Sequence, residues 1–197
     1  MKGSGRGQGI GPALVLGDIS QFIPGLLVAF AFGLVTGRAA ASVLSAPRLL
    51  GIAMMAALGA ILATTLSPSS GMPEVGSIPG TCAVSRLWPD SLSELLTINE
   101  VSLNVLMFIP LGLTLGLAPR SRRTIMAILA ATALPFLIEA IQLLVPALGR
   151  YCDGADVADN LLGLYLGILL GIIASGAAGH RSSRSRPEIV VLPVEDR

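Results

Sequence analysis

Seven polar side chains, Glu139, Gln142, Arg150, Asp153, Asp156, Asp159 and Asn160, crowd the junction of two hydrophobic segments that otherwise carry almost no charge. Ionisable groups close to a bilayer are costly unless solvated or paired, so the cluster marks a candidate site. Carboxylates, amides and one guanidinium can bind a polar head group. They can also do acid–base work, with Glu139 exchanging a proton, Arg150 stabilising developing negative charge and Asp156 as a further candidate. The chain offers no Ser/His/Asp set, no histidine cluster and no phosphate loop, so no reaction class follows. The acids outnumber the arginines here, and an unassisted anionic ligand would be repelled. A proton or a hard, oxygen-seeking ion such as Mg²⁺ or Ca²⁺ would have to offset that excess.

The elements that position these residues follow from composition. Of 197 residues, 53% are hydrophobic and only 13% are charged, and mean hydropathy is +0.78. This is the balance of an all-α, polytopic membrane bundle and not of a soluble domain. Net charge is +1 with no continuous basic stripe, which gives no reason to expect a nucleic-acid partner. Hydropathy places five spans near residues 19–37, 49–66, 100–118, 124–145 and 157–176, each close to the ~20 residues that cross the hydrocarbon. Residues 1–18 then form an N-terminal tail, 19–176 the membrane domain and 177–197 a basic, then mixed, tail. The first span, interrupted by Pro24, is read as retained: Arg38 stands where a signal peptide would need a neutral cleavage region.

Arginine placement orients the bundle. Arg38 and Arg48 flank the first connection, Arg120, Arg122 and Arg123 fill the third, and Arg181, Arg184 and Arg186 follow the last span. These mark the cytoplasmic side, with the N-terminus outside and the C-terminus inside. The Pro-, Gly- and Ser-rich stretch from Ser67 to Asp90 then reads as an irregular outer loop. Cys82 and Cys152 both fall in outer connections, where an oxidising compartment permits a disulfide between them; two separate thiols is the alternative. His180, the single histidine, sits at a membrane exit without a partner of matching chemistry and reads as a surface residue.

Helical periodicity sorts the faces. At about 100° per residue, Asp156, Asn160, Gly163, Gly167 and Gly171 share one narrow sector of the fifth span, with Asp159 beside it. The glycines form a small-xxx-small stripe suited to close helix packing, and Asp156 could instead serve as an N-cap. On the third span Glu100, Asn104 and Gly112 share a side, and Pro110 denies the Leu106 carbonyl its donor, which predicts a kink. Asn104 fits either an interhelical hydrogen bond or a place in a binding site. Glu139 falls roughly 9 Å below the outer end of the fourth span at 1.5 Å per residue, a level close to that of Asn104 and Asn160. Glu139 and Gln142, three residues apart, can meet the same partner. Glu139 itself should turn from lipid and pair with Asn104, Arg150 or water, or be protonated through desolvation.

The strings NVLMFIPLGLTLG (Asn104 to Gly116), EAIQ (Glu139 to Gln142) and GRYCDGADVADNLLGLYLG (Gly149 to Gly167) together resemble the VanZ-like membrane protein family, over roughly residues 49–176. The matching positions are Asn104, Phe108, Pro110, Gly112, Glu139, Gln142, Arg150, Asp153, Asp156, Asn160, Gly163 and Gly167. The cysteines, long outer loop and tail lie outside that pattern. The resemblance implies a protein of the bacterial plasma membrane and cell envelope, and a link to low-level resistance to the glycopeptide antibiotic teicoplanin. Three readings follow. One is a non-enzymatic protein whose outer-leaflet polar cluster binds or shields a lipid-linked envelope precursor or a lipophilic antibiotic. The second is an intramembrane enzyme acting on a lipid-linked substrate through Glu139. The third is a small transporter, for which the chain shows no internal repeat.

Overall fold

The computed structural model describes residues 12–68, 81–83, 95 and 99–184. Residues 1–11, most of the loop with Glu74, Arg86, Asp90 and Glu94, the chain beyond Arg184, and the side chains of residues 12–23, Glu100 and 178–184 (His180 and Arg181 among them) lie outside the described residues; residues 12–18, expected as tail, are helical and open the first helix, and residues 177–184 continue the last helix. Helix α1 runs Pro12–Leu44, α2 Arg48–Thr65, α3 Glu100–Leu117, α4 Arg122–Leu144 and α5 Gly154–Arg184. Four helical stretches, Pro24–Leu44, Arg48–Thr65, Arg122–Leu144 and Gly154–Ala177, are long and apolar enough to cross a membrane, and the apolar part of α3, Val101–Leu117, is slightly shorter.

The helix boundaries have local causes. Helix α1 continues past residue 37, where hydropathy placed its end, because Ala39 to Ala41 are strong helix formers and Ala41 is buried against Gly51. It closes at Ser45, which takes φ 54. Ser45 N–H donates to Ser42 O at 3.2 Å and Ala46 N–H to Ala41 O at 2.9 Å, a Schellman pair, and Pro47 then prevents continuation. Asn99 and Ser102 form a reciprocal capping box at the start of α3. Ser121 caps α4 by accepting from Thr124 N–H. Helix α3 remains helical through Pro110 and α4 through Pro135, as membrane helices tolerate where neighbours compensate the lost donor.

Two glycine-lined seams set the packing. Along α3 and α5, which run parallel, an added Cβ at Gly163 would sit 2.0 Å from Val105 O, one at Gly167 2.3 Å from Ile109 O, and one at Gly171 2.5 Å from Leu113 O. Gly112 and Gly116 answer from α3, meeting the carbonyls of Leu164 and Ile168. The backbones are therefore in contact over more than two turns, an approach only small residues allow. Helices α1 and α2 make an antiparallel seam in which Gly37 meets Ile52 and Gly51 meets Ala41. Between the seams Ile61, Phe108, Ile138 and Leu164 form the centre of the core, while Leu103, Leu106, Phe136, Leu137 and Leu169 point outward. Apolar surface on both sides of the helices is what a lipid solvent requires.

Pro110 does not share the α3–α5 seam with Gly112. Its ring is exposed on another side of α3 and borders a cavity described below.

Candidate functional site

The carboxyl end of α2, the start of α3, the end of α4 and the start of α5 meet at one end of the bundle, and all eight polar residues singled out by sequence lie there. Glu139, Gln142, Asp159 and Asn160 are buried, and Asp159 is fully so. Asn104, Arg150, Asp153 and Asp156 are half-buried.

Their pairing differs from the expected one. Glu139 Oε2 accepts from the backbone N–H of Asp153 at 2.9 Å, and neither Asn104 nor Arg150 is its hydrogen-bond partner. Asn104 Nδ2 instead donates to Asp156 Oδ1 at 2.7 Å, joining α3 to α5. Nor is Asp156 the N-cap of α5. Asp153 takes that role, its Oδ1 accepting from Ala155 N–H at 2.9 Å, which leaves Asp156 one turn further on to reach across to Asn104.

Arg150 and Gln142 have a structural task that sequence did not show. The last carbonyls of any helix lack internal donors. Arg150 Nη2 donates to Thr64 O at 2.7 Å and its Nε to Ser67 O at 3.0 Å, while Gln142 Nε2 donates to Thr65 O at 3.0 Å. The two side chains thus close the end of α2, where a cation also complements the negative pole of the helix. Thr64, Thr65 and Ser67 enter the site through their backbone oxygens. A side-chain pattern carries no trace of a backbone acceptor, so these residues could have been found only by asking what satisfies the end of the second span.

A covalent tie crosses the same end. Cys82 and Cys152 are disulfide-bonded with Cα atoms 4.6 Å apart. Their short segments β1, Cys82–Ala83, and β2, Cys152–Asp153, pair in parallel, with Cys82 opposite Cys152 and Ala83 opposite Asp153. The bond fixes part of the outer loop beside the residue whose N–H Glu139 accepts.

Two features remain unsatisfied or open. Asn160 Oδ1 is buried without a hydrogen-bond donor among the described residues. Beside the cluster, a cavity of about 620 Å³ opens between α1, α2 and α3. Leu26, Ala57, Ala60, Leu106, Met107 and Pro110 make its apolar wall, and Asn104, Arg150, Thr64 and Thr65 its polar end. Among the described residues no three His, Cys, Asp or Glu side chains meet in a way that could hold a metal ion. The Mg²⁺ or Ca²⁺ site considered from carboxylate density therefore has no assembled ligand set in this part of the molecule.

The parallel glycine seam and the Asn104–Asp156 bridge at its end place the motif residues of α3 and α5 in one structural unit. The sequence model of the VanZ/LLP1 family matches residues 6–175. The chain belongs to the VanZ/LLP1 family. The match begins well before residue 49, so α1 and α2 are part of the VanZ-like unit along with the motif-bearing helices. Neither the curated proteins nor the solved structures compared with the chain give a significant match. Family and helices together make this a VanZ-like membrane protein.

Proposed function

We propose that the protein is a non-enzymatic recognition protein of the bacterial plasma membrane that holds the polar end of a lipid-linked envelope component, or of a lipophilic antibiotic, in an outer-leaflet groove. The observation that carries this reading is the cavity of about 620 Å³ between α1, α2 and α3, apolar along its wall and polar at the end formed by Asn104, Arg150, Thr64 and Thr65. That division matches an amphipathic ligand: chains along the hydrophobic wall and a head group at hydrogen-bonding side chains. With the arginine-rich connections inside by the positive-inside rule, the polar end falls in the outer leaflet, where lipid-linked wall precursors and glycopeptides meet. Shielding such a precursor is the form that a contribution to teicoplanin resistance would take.

The geometry favours recognition over turnover. Arg150 is engaged with α2 carbonyls, and Glu139 is buried against a backbone N–H instead of lining the groove. A proton-transfer group must reach the reacting atom.

Mass spectrometry of lipids copurified with the protein tests the reading. A lipid-linked species should be enriched over bulk phospholipid, and Ala60→Phe, which fills the groove without touching the polar set, should lose it while the protein still folds. Recovery of bulk phospholipid alone, or equal enrichment in Ala60→Phe, defeats the proposal.

A further inference from the structure

The opposite end of the bundle holds a second arrangement, independent of the outer groove. Arg38, Arg48, Arg120, Arg122 and Arg123 gather there, and the sequence has no Asp or Glu across residues 38–66, 112–138 or 160–184, the stretches that build this end and the helices leading to it. An excess of positive charge by itself only orients a membrane protein. Here the charge sits over shaped apolar grooves.

Two such grooves flank the first turns of α4. One, of about 530 Å³, lies between α4 and the α1–α2 hairpin, walled by Val43, Leu44, Met54, Met126 and Ala127. The other, of about 420 Å³, lies between α4 and the α3–α5 pair, walled by Leu115, Ile125, Ile128, Ile168 and Ile172. Arg122 borders both grooves, Arg123 the first and Arg120 the second. The arginines are not equivalent. Arg123 Nη1 donates to Val43 O at 3.1 Å, satisfying a last-turn carbonyl of α1 and bracing α4 against the hairpin. Arg120 and Arg122 are exposed and have no hydrogen bond or ion pair to any described residue.

From this geometry we infer that the arginine end binds an anionic phospholipid of the adjoining leaflet, its phosphate held by Arg120 and Arg122 and its acyl chains lying in the grooves beside α4. The charge complementarity selects the occupant: a zwitterionic lipid would fill the apolar walls but bring a cation with its phosphate, leaving the excess charge of Arg120 and Arg122 uncompensated, whereas an anionic lipid offsets it. Guanidinium forks are suited to bidentate contact with phosphate, and basic pockets between helices on the cytoplasmic side recognise anionic head groups.

The test uses the full chain in neutral detergent micelles, titrated with fluorescent phosphatidylglycerol or with phosphatidylcholine. Phosphatidylglycerol should bind in preference. Arg120→Gln with Arg122→Gln should weaken its binding about 30-fold, the effect of two surface cations at about tenfold per 1.4 kcal/mol. Arg38→Gln with Arg48→Gln removes the same charge from the same end and should leave binding within about threefold of the parent. Ala127→Phe, which narrows the first groove and alters no charge, should also weaken binding. Equal losses in the two double variants would show diffuse attraction and overturn the site. Equal affinity for the two lipids, or unchanged binding in Arg120→Gln/Arg122→Gln, would overturn it as well.

Discussion

The two ends of this bundle handle charge in opposite ways. At one end Glu139, Gln142, Asp159 and Asn160 are buried, and Asn104, Glu139, Gln142, Arg150, Asp153 and Asp156 are bonded to helix ends or to one another. At the other, Arg120 and Arg122 stand exposed without a described protein partner. Short acids and amides cannot reach water from inside a helix bundle and must find internal partners. Arginine has a long stem that carries its charge to the interface while the methylenes remain on apolar surface. Mutations of the bonded side chains at the first end should therefore register in stability as well as in ligand retention, and mutations at the second in binding alone.

The largest expected effect lies just beneath the buried polar end. Gly163→Leu drives a side chain into the Val105 carbonyl, and because backbone and not a movable side chain must yield, the cost should exceed the roughly 1–3 kcal/mol of ordinary overpacking. Circular dichroism during detergent-titrated unfolding should find little folded protein; a parent-like transition would mean that α3 and α5 do not pack through their glycines.

Arg150→Met comes next. It strips donors from Thr64 O and Ser67 O, and charged hydrogen bonds of this kind are each worth about 1.5–3 kcal/mol at most. A net loss of about 2 kcal/mol is expected in the same unfolding assay, with Arg150→Lys restoring only part, since one ammonium does not reproduce a planar fork. Full stability in Arg150→Met would remove its capping role and leave the guanidinium only its place at the polar end of the groove.

A smaller effect measures the α3–α5 bridge directly. A double-mutant cycle of Asn104→Ala and Asp156→Ala should give a coupling of about 1 kcal/mol, within the range seen for interhelical hydrogen bonds in membranes. A coupling near zero would separate the two residues and weaken the polar end as a unit. Smallest of all, Arg120→Gln and Arg122→Gln should change stability in lipid-free neutral detergent by less than about 0.5 kcal/mol, as surface substitutions do. A larger loss would erase the contrast between the ends.

The residues also show how far a linear reading reaches. The spacing of Gly163, Gly167 and Gly171 exposes a packing stripe because helical periodicity is a local property, and in the fold that stripe meets α3. For Glu139 the linear reading offers Asn104, Arg150, water or a proton, whereas in the fold its Oε2 accepts from the backbone N–H of Asp153. Capping went to Asp153 instead of Asp156 because the start of α5 depends on how the chain leaves the 3-10 turn Pro146–Leu148 and passes through the Cys82–Cys152 tie. The roles of Arg150 and Gln142 were hidden for a plainer reason. Their partners are carbonyls more than 70 positions away, and every residue has a carbonyl.

By itself the sequence determined the solvent of the fold, the helical spans that solvent demands, the family and the inventory of polar groups beneath one face, because hydropathy and periodicity act over neighbouring residues. Only the tertiary structure decided which of those groups close helix ends, which bridge helices and which border an open groove. Hydrogen bonds act over about 3 Å, and chain segments distant in sequence come within that reach only when the glycine seams have brought the helices together.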